Sequence, residues 1–150
     1  MTESPTSDAE RGYTIHRSYD APRALVWRAI TEPDLFARWW CATIPVEVHD
    51  WDLNVGGQWH ASMTYEGNKM PWSGKFLEID APNRLVVAFT DESAGPDEFD
   101  LMTYTLDEEG AGTRLTVRQS GGHLTDEQYV EAGKGTATFL EELAKVVADL

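Results

Sequence analysis

The sequence contains one cysteine, few basic residues and no long apolar run, and each shortage excludes a class of protein. Cys41 has no second thiol to pair with, so an internal disulfide cannot form and nothing requires an oxidising compartment. No stretch approaches the ~20 apolar residues of a membrane-spanning helix, and the first residues do not resemble a signal peptide. We therefore expect a cytoplasmic protein that does not enter a membrane.

Basic residues are outnumbered, because 12 Lys and Arg stand against 26 Asp and Glu and give a formal net charge of −14. This charge repels the phosphates of nucleic acid and of anionic membranes, so we expect neither as a partner. Some of the acidic residues are clustered around a Gly-Pro turn, where we predict a solvated loop. They are Asp91, Glu92, Asp97, Glu98 and Asp100.

Patterns that hold metals or cofactors are also missing. The histidines, His16, His49, His60 and His123, lack metal-ligand spacing, and the chain has no CxxC, GxSxG, Walker or GxGxxG motif. Cys41 has no neighbouring base and is predicted to be a small buried residue and not a nucleophile. We expect no metal and no cofactor, and we favour a protein that is not an enzyme.

What is present is apolar periodicity. Residues 1–11 show none and predict a disordered tail, whereas residues 12–150 fit a single domain. Alternation around Tyr13 predicts a first strand. A helix capped by Asp20 follows, with Pro22 in its first turn, and residues 33–40 form a second short helix.

From Val46 to Gln119 apolar residues recur at every second position, which is typical of strands. Turn signals divide this stretch into six further strands. Thr125 and Gln128 then form a capping box that begins a helix of about 24 residues, ~36 Å long. These patterns predict an α+β fold in which a curved antiparallel sheet of about seven strands wraps around a long C-terminal helix. Two short helices follow strand 1.

Strand alternation also predicts an apolar pocket between the sheet and the long helix. The inner face is aromatic and rich in methionine. Glu78 is the one charged residue that shares its parity with Trp72 and Phe76, and it either faces inward with them or lies past the cavity near the sheet edge. The middle of the helix carries Gly133 and Gly135, which cost ~1 kcal/mol each relative to alanine. We favour open volume over close approach of the helix backbone to the sheet as the reason for them.

These segments resemble the SRPBCC superfamily of START-like and Bet v 1-like proteins, in the branch named after the activator of Hsp90 ATPase homologue 1. The resemblance extends over residues 13–148. It is carried by DAPRALVWRAIT at 20–31, PDLFARWW at 33–40, DLNVGGQW at 52–59, WSGKFLEID at 72–80, PNRL at 82–85 and GTRLTV at 112–117.

The resemblance implies a helix-grip fold, with a cavity that holds lipids, hormones, polyketides or other apolar molecules in relatives. It also implies a chaperone as an alternative partner. Members often have Gly-Trp in the last helix where this chain has Gly135-Thr136, and the missing indole implies a larger pocket. Fold alone does not decide function.

The predicted cavity residues combine an apolar wall with a few polar groups that would orient a ligand. They are Trp40, Trp59, Met63, Trp72, Phe76, Phe89, Met102, Tyr104, Gln119, Tyr129, Gly133, Thr136 and Phe139.

The leading hypothesis is that this cavity binds a small apolar molecule, such as a lipid, polyketide or aromatic compound, without catalysis, in a monomer or homodimer. A cyclase or hydratase that uses the same cavity and an Hsp90-associated interaction domain are the alternatives.

Overall fold

A computed structural model of the chain describes residues 11–41, 44–91, 99–121 and 124–150. The strands are β1 (Gly12–Tyr19), β2 (Val46–Trp51), β3 (Gln58–Tyr65), β4 (Asn68–Asp80), β5 (Arg84–Asp91), β6 (Asp100–Glu109) and β7 (Gly112–Ser120). The helices are α1 (Arg23–Thr31), α2 (Pro33–Trp39) and α3 (Asp126–Ala148). The tail predicted for residues 1–11 lies outside the described residues, apart from Arg11.

All seven strands form one antiparallel sheet in the order β1-β7-β6-β5-β4-β3-β2. Each strand from β2 to β6 pairs with the next strand in the chain, as expected for short connections, and β7 also pairs with β1. At the tightest connection, Glu66 and Gly67 both have positive φ angles, 51° and 81°, as a two-residue hairpin turn requires. The predicted α+β helix-grip fold is confirmed.

One irregularity in β4 changes which side chains face inward. Its register against β5 shifts by one residue between Phe76 and Glu78, which is a β-bulge. A bulge reverses the alternation beyond it. The prediction that Glu78 shares the inner face with Trp72 is therefore wrong, and Glu78 is exposed and pairs with Arg84 at 3.0 Å between Oε2 and Nε.

The two short helices pack onto one end of the sheet. Pro22, and not Asp20, caps α1, and no side chain bonds the free backbone N–H groups there, so the predicted Asp20 cap is wrong. The indole N–H of Trp39 donates to the carbonyl of Ala29 at 2.8 Å and joins α2 to α1. Trp51 in β2 donates to the Thr31 carbonyl at 2.9 Å and joins α1 to the sheet.

Aromatic side chains fill the core at this end. Phe36 lies at the centre, with ring centroids 5.3 Å from Trp39, 5.1 Å from Trp40, 4.9 Å from Trp51 and 6.3 Å from Trp59. The void beside this cluster measures about 20 Å³, close to the space of a single water molecule. This half of the core is therefore packed solid.

The long helix begins as predicted, since the Thr125 hydroxyl accepts from the Gln128 backbone N–H and the Gln128 side chain accepts from the Thr125 N–H. Its closest backbone neighbours are β1, α2 and α1. The Tyr19 hydroxyl of β1 donates to the Leu140 carbonyl at 3.0 Å. None of the three helices in the residues that the structure describes is long and apolar enough to cross a membrane.

The buried phenols predict a loss of stability in alkali. Burial raises the pKa of Tyr13 to about 12, and it also raises the pKa values of Tyr19 and Tyr104. Between about pH 10 and 12 the unfolded chain loses these protons before the folded one does. The contribution of these phenols to the free energy of unfolding should therefore be fully present below pH 9. Above pH 10 it should be lost, and the free energy of unfolding should fall steadily.

Urea titrations from pH 8 to 12 measure this decline. Tyr104→Phe keeps the ring and removes one buried phenol, so its decline should be shallower than that of the wild type. An unfolding free energy that is the same at pH 8 and pH 11, or an unchanged slope in Tyr104→Phe, would contradict the assignment.

Candidate functional site

A cavity of about 420 Å³ lies between the sheet and α3. Its volume falls within the range of about 300–1,000 Å³ that is typical of small-molecule sites. The chain leaving α2, the strands β3 to β7 and α3 as far as Phe139 all contribute to its wall. The described lining residues are Trp40, Cys41, Ile44, Met63, Trp72, Phe89, Thr90, Phe99, Asp100, Met102, Gln119, Leu124, Ala132, Gly135, Thr136 and Phe139.

Four aromatic rings form one continuous wall of the cavity. The ring centroid of Trp40 lies 6.4 Å from those of Trp72 and Phe89, and 5.6 Å from that of Phe139. Trp72 and Phe89, in neighbouring strands, are 6.0 Å apart. Rings at these distances and tilts stabilise one another, so the wall keeps its shape without a ligand.

A polar group occupies another part of the wall. Asp100, only 6% exposed, accepts from the Gln119 amide at 2.8 Å on Oδ2. The Tyr129 hydroxyl is shared between the two carboxylate oxygens, at 3.0 Å from Oδ2 and 3.2 Å from Oδ1. Thr136 completes the polar lining, and its hydroxyl lies 2.5 Å from the Tyr13 hydroxyl.

Tyr13 and Tyr129 lie behind these lining groups and hold Thr136 and Asp100 in place by hydrogen bonds. Burial raises the pKa of Tyr13 to about 12; the hydrogen bond with Thr136 lowers it, whereas the Asp100 carboxylate raises it further. Tyr13 is therefore a neutral phenol at physiological pH. A neutral phenol can donate a hydrogen bond as well as accept one, so Thr136 has a bonded partner in either role.

Reactive groups in the wall are few. Burial raises the pKa of the Cys41 thiol to about 12, so it stays protonated near neutral pH, in line with the small buried residue expected from the sequence. Among the residues that the structure describes, no group of three or more His, Cys, Asp and Glu could hold a metal ion. The described lining residues offer apolar contact, hydrogen bonding and the carboxylate of Asp100.

The structure divides the predicted cavity residues into two groups. Those that line the cavity are Trp40, Met63, Trp72, Phe89, Met102, Gln119, Thr136 and Phe139.

The others lie elsewhere. Trp59, Phe76 and Tyr104 surround the small void in the solid half of the core, because alternation identifies the face of a strand but not the position along it. Tyr129 lies behind Asp100, and Gly133 packs against Tyr13. These residues do not form the wall, although Tyr129 bonds to it.

The two helix glycines have different explanations. A Cβ atom at Gly133 would lie 3.3 Å from Cγ of Tyr13, so the lack of a side chain there allows close packing. A Cβ atom at Gly135 would have nothing within 4 Å, and Gly135 lines the cavity. Open volume explains Gly135, and close approach explains Gly133.

Sequence reasoning missed Asp100, which was expected in a solvated loop. The signal was available, because Asp100 shares parity with Met102 and Tyr104, both on the inner face of β6. Residues 92–98 of the predicted loop lie outside the described residues. Other lining residues that the sequence did not reveal are Cys41, Ile44, Thr90, Phe99, Leu124 and Ala132.

Comparison with known proteins identifies the family. Residues 20–148 match the family model described as activator of Hsp90 ATPase homolog 1-like protein. The chain belongs to this family. The resemblance inferred from the sequence is thereby confirmed, and the match covers every element from α1 to α3.

Solved structures agree with membership of the activator of Hsp90 ATPase homolog 1-like family. Protein CV1439 from Chromobacterium violaceum is 26% identical with a TM-score of 0.81, over 90% of this chain and 95% of that one. Protein NE0264 from Nitrosomonas europaea is 28% identical with a TM-score of 0.74, over 91% and 94%. CalU16 from Micromonospora echinospora is 29% identical with a TM-score of 0.66, over 89% and 74%. Comparison with the curated proteins finds no match.

The two glycines provide a direct test of the cavity geometry. Gly135→Ala should raise the free energy of unfolding by about 1 kcal/mol, because alanine favours a helix and the added methyl enters open space. Gly133→Ala should gain less or lose stability, because its methyl must displace the Tyr13 ring. Chemical denaturation of the two variants measures the difference, and equal gains would contradict it.

Proposed function

We propose that this protein binds a small apolar or aromatic molecule in the cavity under α3 and does not convert it. The observation that carries the proposal is the contrast between the two halves of the interior. One half is packed to a void of about 20 Å³, whereas the other holds about 420 Å³. Protein interiors are normally close-packed, so an opening of this size beside a solid core suits a ligand.

The size and lining of the cavity favour a ligand with an apolar body. Each CH₂ group moved out of water contributes ~0.8 kcal/mol, so a body of roughly ten carbons contributes about 8 kcal/mol before the costs of association. A free energy of about 8 kcal/mol corresponds to micromolar affinity, so the association costs place the expected affinity of such a body on the weaker side of micromolar. Trp40 and Phe139 offer flat contact surfaces for a chain or a ring.

Tryptophan fluorescence tests the proposal directly. Trp40 and Trp72 border the cavity, so a bound molecule should change their emission. A panel of fatty acids, flavonoids and aromatic polyketides covers the expected ligand classes. NMR shifts of Met63 and Met102 methyl groups, which lie in the same wall, would locate any binding. The absence of a response across the whole panel would overturn the proposal.

Blocking the cavity should abolish binding while the fold is kept. Gly135→Phe places a ring in open space and leaves the Thr136–Tyr13 hydrogen bond intact. Val130→Phe, on the same helix at a position 57% exposed, is the matched control. We expect a loss of affinity of tenfold or more in Gly135→Phe and wild-type affinity in Val130→Phe, as measured by titration calorimetry. Equal affinities would show that the ligand lies elsewhere.

Two observations keep the other candidate functions under test. Asp100 and Gln119 bring polar groups to the wall, which a cyclase or hydratase would need beside its substrate. Liquid chromatography with mass spectrometry of a ligand recovered after incubation separates carriage, which leaves both the retention time and the mass unchanged, from catalysis, which changes at least one of them. The family match favours a chaperone partner, and retention on immobilised Hsp90 at moderate salt would support it.

A further inference from the structure

We infer that the ligand carries a protonated amine, or an equivalent cationic hydrogen-bond donor, that contacts Asp100. The inference rests on the proposed function and names the chemistry of the ligand. An apolar body would lie against the aromatic wall of Trp40, Trp72, Phe89 and Phe139, and the cationic head would lie at the carboxylate.

The first observation is that the buried carboxylate can accept more hydrogen bonds than the described residues of the protein donate to it. Asp100 is 6% exposed and forms part of the cavity wall. An ionised carboxylate has about four lone-pair positions, and the donors that bond it are the Gln119 amide and the Tyr129 hydroxyl. Acceptor capacity remains for a donor from the cavity.

The second observation is that no protein cation neutralises this charge within the described part of the chain. Asp100 takes part in none of the ion pairs found there. The described lining residues of the cavity include no Lys, Arg or His. A buried charge is costly unless it is paired. A cation that enters the cavity would therefore gain more binding free energy beside Asp100 than a neutral or anionic group would.

The third observation is that the carboxylate is held in a defined position. A Cβ atom at Gly121 would lie 2.1 Å from Oδ1 of Asp100, so the carboxylate occupies the space that a side chain would need. Gly121 also has a φ of 147°, which disfavours other residues. Gln119 on the neighbouring strand β7 and Tyr129 on α3 both donate hydrogen bonds to the carboxylate. A recognition group fixed in this way pays little ordering cost on binding.

Three ligands with the same ten-carbon chain test the inference: decylamine, 1-decanol and decanoate. Titration calorimetry at pH 7, below micelle-forming concentrations, gives their affinities. The net charge of −14 attracts any amine, so the buffer needs about 0.3 M salt to screen the surface. We expect decylamine to bind roughly tenfold or more tightly than decanoate, with decanol between them.

Asp100→Asn should reduce the ratio of decylamine to decanoate affinity to within about threefold, because the amide removes the charge but keeps the size of the side chain. Its one oxygen can still accept from Gln119 and Tyr129, which both bond Oδ2 in the wild type. Asp107→Asn is the matched control, since it removes the same charge from an exposed position of the same strand. The control should keep the wild-type ratio.

The ¹³C shift of the Asp100 carboxyl in the wild-type protein gives a second measurement that does not depend on folding of the variant. Decylamine should move this signal more than decanol does.

Equal affinities of the three ligands, or an equal loss of preference in Asp107→Asn and Asp100→Asn, would overturn the inference and leave the proposed function standing. No binding by any of the three or by the wider panel would overturn both.

Discussion

The cavity depends on the separation between α3 and the sheet, and three tyrosine side chains maintain that separation. Tyr13 and Tyr19 extend from β1 to the Thr136 hydroxyl and to the Leu140 carbonyl of the helix. Tyr129 extends from the helix to Asp100 on β6. Each phenol has a hydrogen-bond partner at its far end, so its burial leaves no unpaired hydroxyl. The helix is thereby held beside β1 and tied to Asp100 of β6 through side-chain hydrogen bonds.

Trp40 marks the boundary between the solid and the open half of the interior. On one side its ring stacks on Phe36, with centroids 5.1 Å apart, and so belongs to the packed aromatic cluster. On the other side it packs against Phe139 of α3, with ring centroids 5.6 Å apart, and both rings form part of the cavity wall. The packed half supplies the stability of the fold, so the open half can keep its volume. A ligand would meet a wall that is braced from behind by close-packed rings.

The sequence was sufficient for the fold, because alternation, turn residues and a capping box act locally and agree with one another. It was less informative about the site, for three physical reasons. The bulge in β4 reversed the facing of Glu78, and no simple residue pattern marks a bulge. Asp100 was assigned by its acidic neighbours when its strand parity was the better guide. Gly133 and Gly135 are about 200° apart around the helix, so two similar residues have opposite surroundings.

The pairing of β1 with β7 has a consequence for how the chain folds. Gly12 lies opposite Ser120 and Tyr19 lies opposite Thr113, so the first strand of the sheet must wait for the last one. Contacts so distant in sequence form slowly, and during synthesis β1 leaves the ribosome long before its partner does. Because Tyr13 and Tyr19 lie on β1, docking of α3 also waits for this pairing. The inner face of the sheet stays uncovered until then, and closure of the cavity coincides with completion of the fold.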